Sequence, residues 1–448
     1  VYVIVGGAGE VGYHVAKALR EEGHQVTVVE NRPERLDRLQ DLDVTAVAGN
    51  LASKTLLEGE ARIQECQLFV ACSGDDEINM VAAALAKTYG ARTIARINDT
   101  EYLNVPTSTE YAKMGIDVAV CPEMVAAIRI KRMLNQPRLM DADVFAQGKV
   151  FIAEGRVKEG AFVVGKRLDE VEPPAGFHLF AIYRGEDVLI PKASQRIQAH
   201  DRMMMALTSP EVLKDVEAYI GRARQFKQGR EVRRVMIAGA TRIGIQLARL
   251  LEQSKRDVVL VEKDADKCRE AGERLQKALV VQGDVTDRNV LIQENVDTFD
   301  AFVGATKVEE YNTLGALIAK QLGVPLTVVL INQPELKGIL ESLDIDLAVA
   351  PRLSTVGAIL QQVHGGAEEV ALQNLGGERL MVFKVPETAP AVGEKIKSVA
   401  FPDDSILVAI VRGEQVVLPR GEDAIEAGDT VIAFSVHASA EALERLFT

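Results

Sequence analysis

The first thirty residues change hydrophobic period twice. Val1-Tyr2-Val3-Ile4-Val5 is a short β-branched run and predicts a buried strand, whereas Val11, Val15, Ala18 and Leu19 recur at helical spacing and predict one buried helix face. Further strands are expected over Gln25–Val29, Val44–Ala48, Leu68–Ala71 and Ile94–Ile97. Strands alternating with helical patterns predict βαβ units and a parallel sheet.

The same pattern returns later in the chain. Val5-Gly6-Gly7-Ala8-Gly9-Glu10-Val11-Gly12 recurs as Ile237-Ala238-Gly239-Ala240-Thr241-Arg242-Ile243-Gly244, Val28-Val29-Glu30 as Leu260-Val261-Glu262, and Gly49-Asn50 as Gly283-Asp284. Leu68-Phe69-Val70 recurs as Ala301-Phe302-Val303, and Ile116 to Pro122 as Ile345 to Pro351, all in one order and offset by roughly 230 residues. The segments behind these also match: Ala181-Ile182-Tyr183-Arg184-Gly185-Glu186 pairs with Ala409-Ile410-Val411-Arg412-Gly413-Glu414, Pro191 with Pro419 and Asp201 with Asp429. There the apolar runs are short and the turns frequent, so each Arg-Gly-Glu reads as a hairpin.

The expected fold class is therefore α/β: two Rossmann-type doubly wound parallel-sheet domains, each followed by a small β-rich α+β domain. The boundaries expected are 1–139 and 140–221 for the first pair, a basic linker at 222–231, then 232–366 and 367–448 for the second. The linker region from Gly221 to Arg234 carries Arg222, Arg224, Lys227, Arg230, Arg233 and Arg234 against one acid, Glu231. It reads either as a solvated linker or as a contact for an acidic partner or anionic lipid headgroups.

The glycine motif carries the chemistry. It lies between a strand and a helix, the context in which Gly7 permits a tight turn, Gly9 lets the backbone approach a pyrophosphate and Gly12 lets the helix pack on the strand. The amides of the first helical turn then face the phosphates. Glu30 ends the second strand 18 residues beyond Gly12, where an acid accepts hydrogen bonds from an adenosine ribose. Its charge disfavours a 2′-phosphate, which favours NAD or an unmodified adenine nucleotide over NADP, with Arg32 weakening the exclusion slightly. Cys72-Ser73-Gly74-Asp75-Asp76 leaves the fourth strand at the ligand-binding edge, and Asn79 begins the next helix. Arg96 is a cation in an otherwise buried run and needs an anion, either a nucleotide phosphate or a structural carboxylate. In the second copy Thr241 replaces the second glycine, Leu330 replaces Arg96, Lys307 replaces Gly74 and Arg242 replaces Glu10. That site either takes a nucleotide in another pose, with Arg242 or Lys307 on its phosphates, or none.

Composition narrows the function. Lys and Arg total 52 against 65 Asp and Glu, a net charge of −13, which argues against nonspecific nucleic-acid binding. The longest apolar run, Met80 to Ala86, is far short of the 18–20 or so residues that a membrane-spanning helix needs. The chain opens on a strand, so no signal peptide is expected. Cys66, Cys72, Cys121 and Cys268 form no C-x-x-C pair and have no His at ligand spacing, and are read as buried thiols in a reducing compartment. No metal site and no catalytic residue is expected. Tyr13-x-x-x-Lys17 lies on the helix beside the pyrophosphate, away from a hydride, and the six His residues have no evident partner.

The order of glycine fingerprint, Glu30, Gly49-Asn50, Ser73 to Asp76, Asn79, Ala95-Arg96-Ile97-Asn98 and Ala119-Val120-Cys121-Pro122-Glu123 resembles the domains that regulate potassium conductance, the RCK domains. Two such pairs in one chain resemble the TrkA family, the peripheral subunits of Trk potassium-uptake systems. The resemblance covers essentially the whole chain. It implies a cytoplasmic regulatory subunit on the inner face of the plasma membrane, held there by a pore-forming potassium transporter subunit; the competing readings are a gating subunit of another cation channel or antiporter, and an NAD-dependent oxidoreductase. It further implies a homo-oligomer, typically a tetramer, that binds NAD or NADH and in many members ATP or ADP. By position Gly7, Gly9, Gly12, Glu30, Asn50, Ser73 and Arg96 match the nucleotide contacts of those domains, and Ala8, Glu10, Val11, Asn31, Arg32, Leu51, Cys72, Gly74 and Asn79 are further candidate contacts beside them. In the second copy Thr241 and Leu330 do not match those contacts, and the candidate residues are Gly239, Thr241, Arg242, Gly244, Glu262 and Asp284. It also suggests that the amphipathic helices Met124–Leu134 and Leu353–Val363 are exchanged between neighbouring lobes rather than packed on their own sheets.

Overall fold

The computed structural model describes residues 1–98, 108–135, 143–145, 149–185, 187–221, 232–333, 336–363, 378–436 and 440–447. The basic linker at 222–231 and Glu186 of the first hairpin lie outside them.

The first α/β lobe comprises β1 (Tyr2–Gly6), α1 (Glu10–Glu21), β2 (Gln25–Glu30), β3 (Thr45–Ala48), β4 (Leu68–Ala71), α2 (Asp76–Thr88), β5 (Arg92–Arg96), β6 (Val118–Val120) and α3 (Pro122–Asn135). A β-rich lobe follows with β7 (Asp143–Phe145), β8 (Val150–Arg156), β9 (Phe177–Arg184), β10 (Asp187–Leu189), β11 (Arg202–Leu207) and α4 (Leu213–Ile220). The second α/β lobe has β12 (Arg234–Ala238), α5 (Arg242–Gln253), β13 (Asp257–Glu262), α6 (Ala265–Arg274), β14 (Leu279–Gln282), β15 (Ala301–Gly304), α7 (Glu309–Gln321), β16 (Leu326–Leu330), β17 (Leu347–Val349) and α8 (Pro351–Val363). The chain closes with β18 (Arg379–Lys384), β19 (Ser405–Arg412), β20 (Gln415–Val417), β21 (Thr430–Ser435) and α9 (Ala440–Phe447). Only the principal helices are numbered.

Like assembles with like. One compact unit comprises Val1–Asn135 and Glu231–Gly365, the two α/β lobes; the other comprises Gln136–Arg230 and Gly366–Thr448, the two β-rich lobes.

In the α/β unit the sheets run β3-β2-β1-β4-β5-β6 and β14-β13-β12-β15-β16-β17, all parallel, with the switch in strand order beside β1 and β12. The glycine turns leave the carboxyl ends of those two strands, where ligands bind in doubly wound sheets. The central strands β1, β4, β12, β15 and β16 are buried on both faces, which is why they read as continuous apolar runs rather than alternating ones, whereas the edge strands β3 and β14 are largely exposed.

The helices that end each lobe are exchanged within the chain. α8 packs on α1 of the first lobe, α3 packs on α5 of the second, and α3 and α8 pack on each other. Val356, Ile359 and Leu360 of α8 join the buried cluster of Val11, Val15 and Leu19. Arg129 donates to the Ser354 hydroxyl at 3.2 Å, and Arg92 donates to the Val363 carbonyl at 3.0 Å. Each α/β lobe thus completes its core with a helix from the other.

In the β-rich unit the antiparallel sheets run β10-β9-β11-β8-β7 and β18-β21-β19-β20. They meet across one core, where Phe180 and Phe434 lie 5.3 Å apart between ring centroids among Ile152, Met204, Val408 and Ile432. The paired motifs explain themselves here. Arg184 grips the buried Asp201 carboxylate through Nε and Nη2, both at 2.8 Å, and Arg412 grips Asp429 in the same way at 2.9 and 2.8 Å. In each lobe this forked ion pair ties the hairpin to the strand that follows.

Ile359 sits fully buried in a core formed mostly by the other lobe. Ile359→Ala should therefore cost about 2–5 kcal/mol in urea unfolding of the whole chain. A loss within about 0.5 kcal/mol, the size of a surface substitution, would contradict the exchange.

Candidate nucleotide-binding site

Strand β1 stops because Gly7 turns the chain with φ +96°, bringing its backbone against Ser73: a Cβ there would stand 2.9 Å from the Ser73 Cα. Gly12 packs closer still, since a Cβ would lie 1.8 Å from the Gly7 carbonyl oxygen. Gly9 differs. Its backbone is extended at φ −67° and ψ −178°, and a Cβ would meet only the Arg35 guanidinium at 3.5 Å. Two glycines are therefore required by the protein, and the third leaves open space above the turn.

Helix α1 begins without a side-chain cap. Tyr13 is the first residue whose N–H closes a helical turn, onto Gly9 at 2.8 Å, and the amides of Glu10, Val11 and Gly12 have no acceptor among the described residues. Those amides carry the positive end of the helix dipole.

Glu30, 5% exposed, frames the turn. One carboxylate oxygen accepts from Ala8 N at 2.7 Å and lies 3.5 Å from Arg35; the other accepts from Asn31 N at 2.9 Å and Arg32 N at 3.0 Å. Of these partners only Arg35 is a side chain free to swing away. Glu10 faces outward. Burial raises its pKa, but the hydrogen bond and charge of Arg38, with Arg352 of the exchanged helix α8 and His14, more than offset this and hold it below the usual range. Arg38 donates to Glu10 at 3.0 Å and lies over the Tyr13 ring at 5.2 Å. Arg35 and Arg38 were not among the residues expected, although their spacing of three from Arg32 behind the second strand marks them as neighbours on one helical face.

At the far side, Asn79 is fully buried and spends its amide on the backbone: it accepts from Ser73 N at 2.9 Å and donates to the carbonyls of Ser73 at 3.2 Å and Arg96 at 2.9 Å. Its counterpart Asn312 makes the same bonds to Thr306 and Leu330. The clamp persists where Arg96 does not, so Asn79 holds two strand ends together. Arg96 itself is half-buried and donates through Nε to Asn98 at 2.9 Å. Asn98 is in turn bound by Asp76 at 2.7 and 2.8 Å, and no carboxylate among the described residues pairs with Arg96 directly.

Three expected contacts face inward. Leu51 fills the space beside Gly6, Val11 belongs to the core, and burial pushes the Cys72 thiol up to about 12, a neutral group against Gly12. Asn50 and Gly74 are exposed; the Asn50 side chain accepts from Ala52 N at 2.9 Å.

The second lobe repeats the frame. Gly239 turns at φ +106°, a Cβ on Gly244 would stand 2.1 Å from the Gly239 carbonyl oxygen, and Glu262 accepts from Ala240 N at 2.8 Å and Asp264 N at 3.0 Å. Arg242 and Lys307 are exposed, without an ion-pair partner among the described residues. Asp284 is held down to about 2 by hydrogen bonds from Lys263, at 2.9 Å, and from Thr286.

A Rossmann-type glycine turn, duplicated and joined by exchanged helices, defines a class of paired α/β lobes. The comparisons give the family. The TrkA-N domain model matches residues 3–122 and 235–351, and the TrkA-C domain model matches 380–448. A Trk system potassium uptake protein TrkA homolog 2 of Methanosarcina mazei is 33% identical over 99% of both chains, and the TrkA of Halomonas elongata is 30% identical over 97% of this chain and 95% of its own. The chain belongs to the TrkA family of Trk potassium-uptake proteins. Among solved structures, the GsuK RCK domain matches all of this chain and 94% of its own with a TM-score of 0.55 at 17% identity, and the GsuK channel bound to NAD matches all of this chain and 78% of its own with a TM-score of 0.57 at 16%. At those identities the likeness is one of fold. No described helix is long and apolar enough to cross a membrane.

Two predictions follow from the packing alone. Gly12→Ala should destabilise the protein by about 3 kcal/mol because its methyl meets backbone, while Gly9→Ala should change stability by less than about 0.5 kcal/mol, as at an exposed position; equal urea midpoints for the two variants would refute this. At Asp284 the folded pKa lies below the ordinary 3.8, so its contribution is whole above that value and lost as pH falls toward about 2. Discounted for screening at so exposed a pair, that is about 1 kcal/mol. Asp284→Asn should therefore cost stability at pH 7, roughly half as much at pH 3 and little near pH 2, and an equal loss at pH 7 and pH 2 would contradict the assignment.

Proposed function

We propose that this chain is the nucleotide-sensing regulatory subunit of a potassium-uptake transporter, binding an adenine nucleotide in the first α/β lobe and controlling a membrane pore made by another protein. The observation that carries the reading is the uncapped start of α1 beneath Gly9, in a chain of the TrkA family. Free amides, the helix dipole and the cations Arg32, Arg35, Arg38 and Arg96 together make a seat for phosphates. The proposed ligands are NAD or NADH, with ATP or ADP as alternatives; the solved structures titled GsuK channel bound to NAD and GsuK bound to ADP share this fold. Gly7, Ala8, Gly9, Val11 and Gly12 offer backbone to the pyrophosphate, and Ser73 and Arg96 flank it. Glu30 takes a ribose hydroxyl when Arg35 turns away, and Asn50 lies toward the adenine.

The action proposed is binding without turnover, in a homo-oligomer, most simply a tetramer, on the cytoplasmic face of the membrane. The exchanged helices supply the coupling, because each belongs by sequence to one lobe and by packing to the other. Coupling requires that the ligand prefer one arrangement of the lobes.

Gly9→Val has room for its side chain in the protein but not beneath a pyrophosphate. In calorimetry it should weaken NADH and ATP by about a hundredfold, about 2.8 kcal/mol, with the urea midpoint unchanged. Undiminished affinity would refute the site. Copurification of the full chain with a potassium-transporting membrane subunit tests the partner, and steady NADH consumption with a panel of carbonyl compounds would overturn the non-enzymatic reading.

A further inference from the structure

The two α/β lobes share a frame but differ at the atom where phosphate would enter. In the first, Gly9 gives α1 no cap. In the second, the Thr241 hydroxyl donates to the Ala305 carbonyl at 2.7 Å and accepts the N–H of Gly244 at 3.2 Å. One side chain therefore takes the amide equivalent to that of Gly12 and pins the helix start to the exit of β15. Its Cβ and methyl stand where the first lobe has only glycine.

The surroundings agree. Where the first lobe carries Arg32, Arg38 and Arg96, the second carries Asp264, Glu270 and Leu330. Asp264 is spent as a cap on α6, accepting from the amides of Asp266 and Lys267 at 2.9 and 3.1 Å. Lys263, which faces the site from the end of β13, is paired with Asp284. Arg242 and Lys307 are cations on this rim without an ion-pair partner among the described residues, and Lys267 stands where the first lobe has Arg35.

We propose that Thr241 is an internal lock: its hydroxyl occupies the anion seat of the second lobe, so that each chain takes up one nucleotide, in the first lobe, and the second lobe serves as the fixed half against which the first responds. This rests on the reading of the first site given above.

Calorimetry with ATP on the full-length chain tests it. The wild type should bind one ATP per chain. Thr241→Gly, which keeps the extended backbone and removes the hydroxyl, should gain a second, weaker site. Thr241→Gly/Leu330→Arg, which also restores the missing cation, should bind that second ATP more tightly, whereas Thr241→Ser keeps the hydroxyl and should stay at one. The proposal is overturned if the wild type already takes two, if neither glycine variant takes up an additional ATP, or if Thr241→Ser gains a site as readily as Thr241→Gly. In the Gly9→Val background the same glycine change should restore a single site. The site gained by removing Thr241 tests the lock, while the loss on adding Val at position 9 tests the first lobe, so the two readings fail separately.

Discussion

Neither α/β lobe closes its own core. The face of α1 that carries Val11, Val15 and Leu19 is buried beneath Val356, Ile359 and Leu360, which arrive on a helix some 340 residues further along the chain. Leaving those three side chains in water would cost about 1.5–3 kcal/mol each, so the lobes cannot separate without exposing the apolar floor of the glycine turn. That constraint places the start of α1 between two lobes. It gives any change at the turn a route into the second lobe through packed side chains.

The duplication has been used asymmetrically. The elements that make the frame are kept twice: a glycine at positive φ, a glycine under the helix, a glutamate that braces the turn, and an asparagine that clamps the ends of two strands. Of the elements that would face a phosphate, only the cation at Arg35 is matched, by Lys267. Gly9, Arg32, Arg38 and Arg96 have no like counterparts in the second lobe. On the proposed reading, a duplicated module that retains its scaffold twice and its ligand chemistry once supplies both a sensor and a reference surface in one polypeptide.

Much of this was legible in the residues. The order of strands, the glycine turns and the duplication follow from period and spacing, because a buried parallel strand and a glycine that touches backbone tolerate few substitutes. The exchange of α3 and α8 was legible only as a resemblance, since an amphipathic helix shows the same stripe whether it packs on its own sheet or on a neighbour's. Asn79, Leu51 and Cys72 were themselves candidate ligand contacts, yet their side chains turn to backbone or core; position along the chain does not fix direction at the end of a strand. Thr241 read as a missing glycine and a candidate contact. That its hydroxyl reaches Ala305 depends on the close approach of β12 and β15, which no local pattern reports. Arg35 and Arg38 were overlooked because they follow the acid rather than the glycines.

The central claim is that a nucleotide in the first lobe is felt in the second through the exchanged helix. Hydrogen–deuterium exchange of the intact chain, with and without saturating NADH or ATP, tests it most directly. The account predicts altered protection over Pro351–Val363 alongside the turn at Gly7–Gly12, although that helix belongs by sequence to the lobe without a ligand. Protection that changes at the glycine turn and leaves Pro351–Val363 as it was would contradict it.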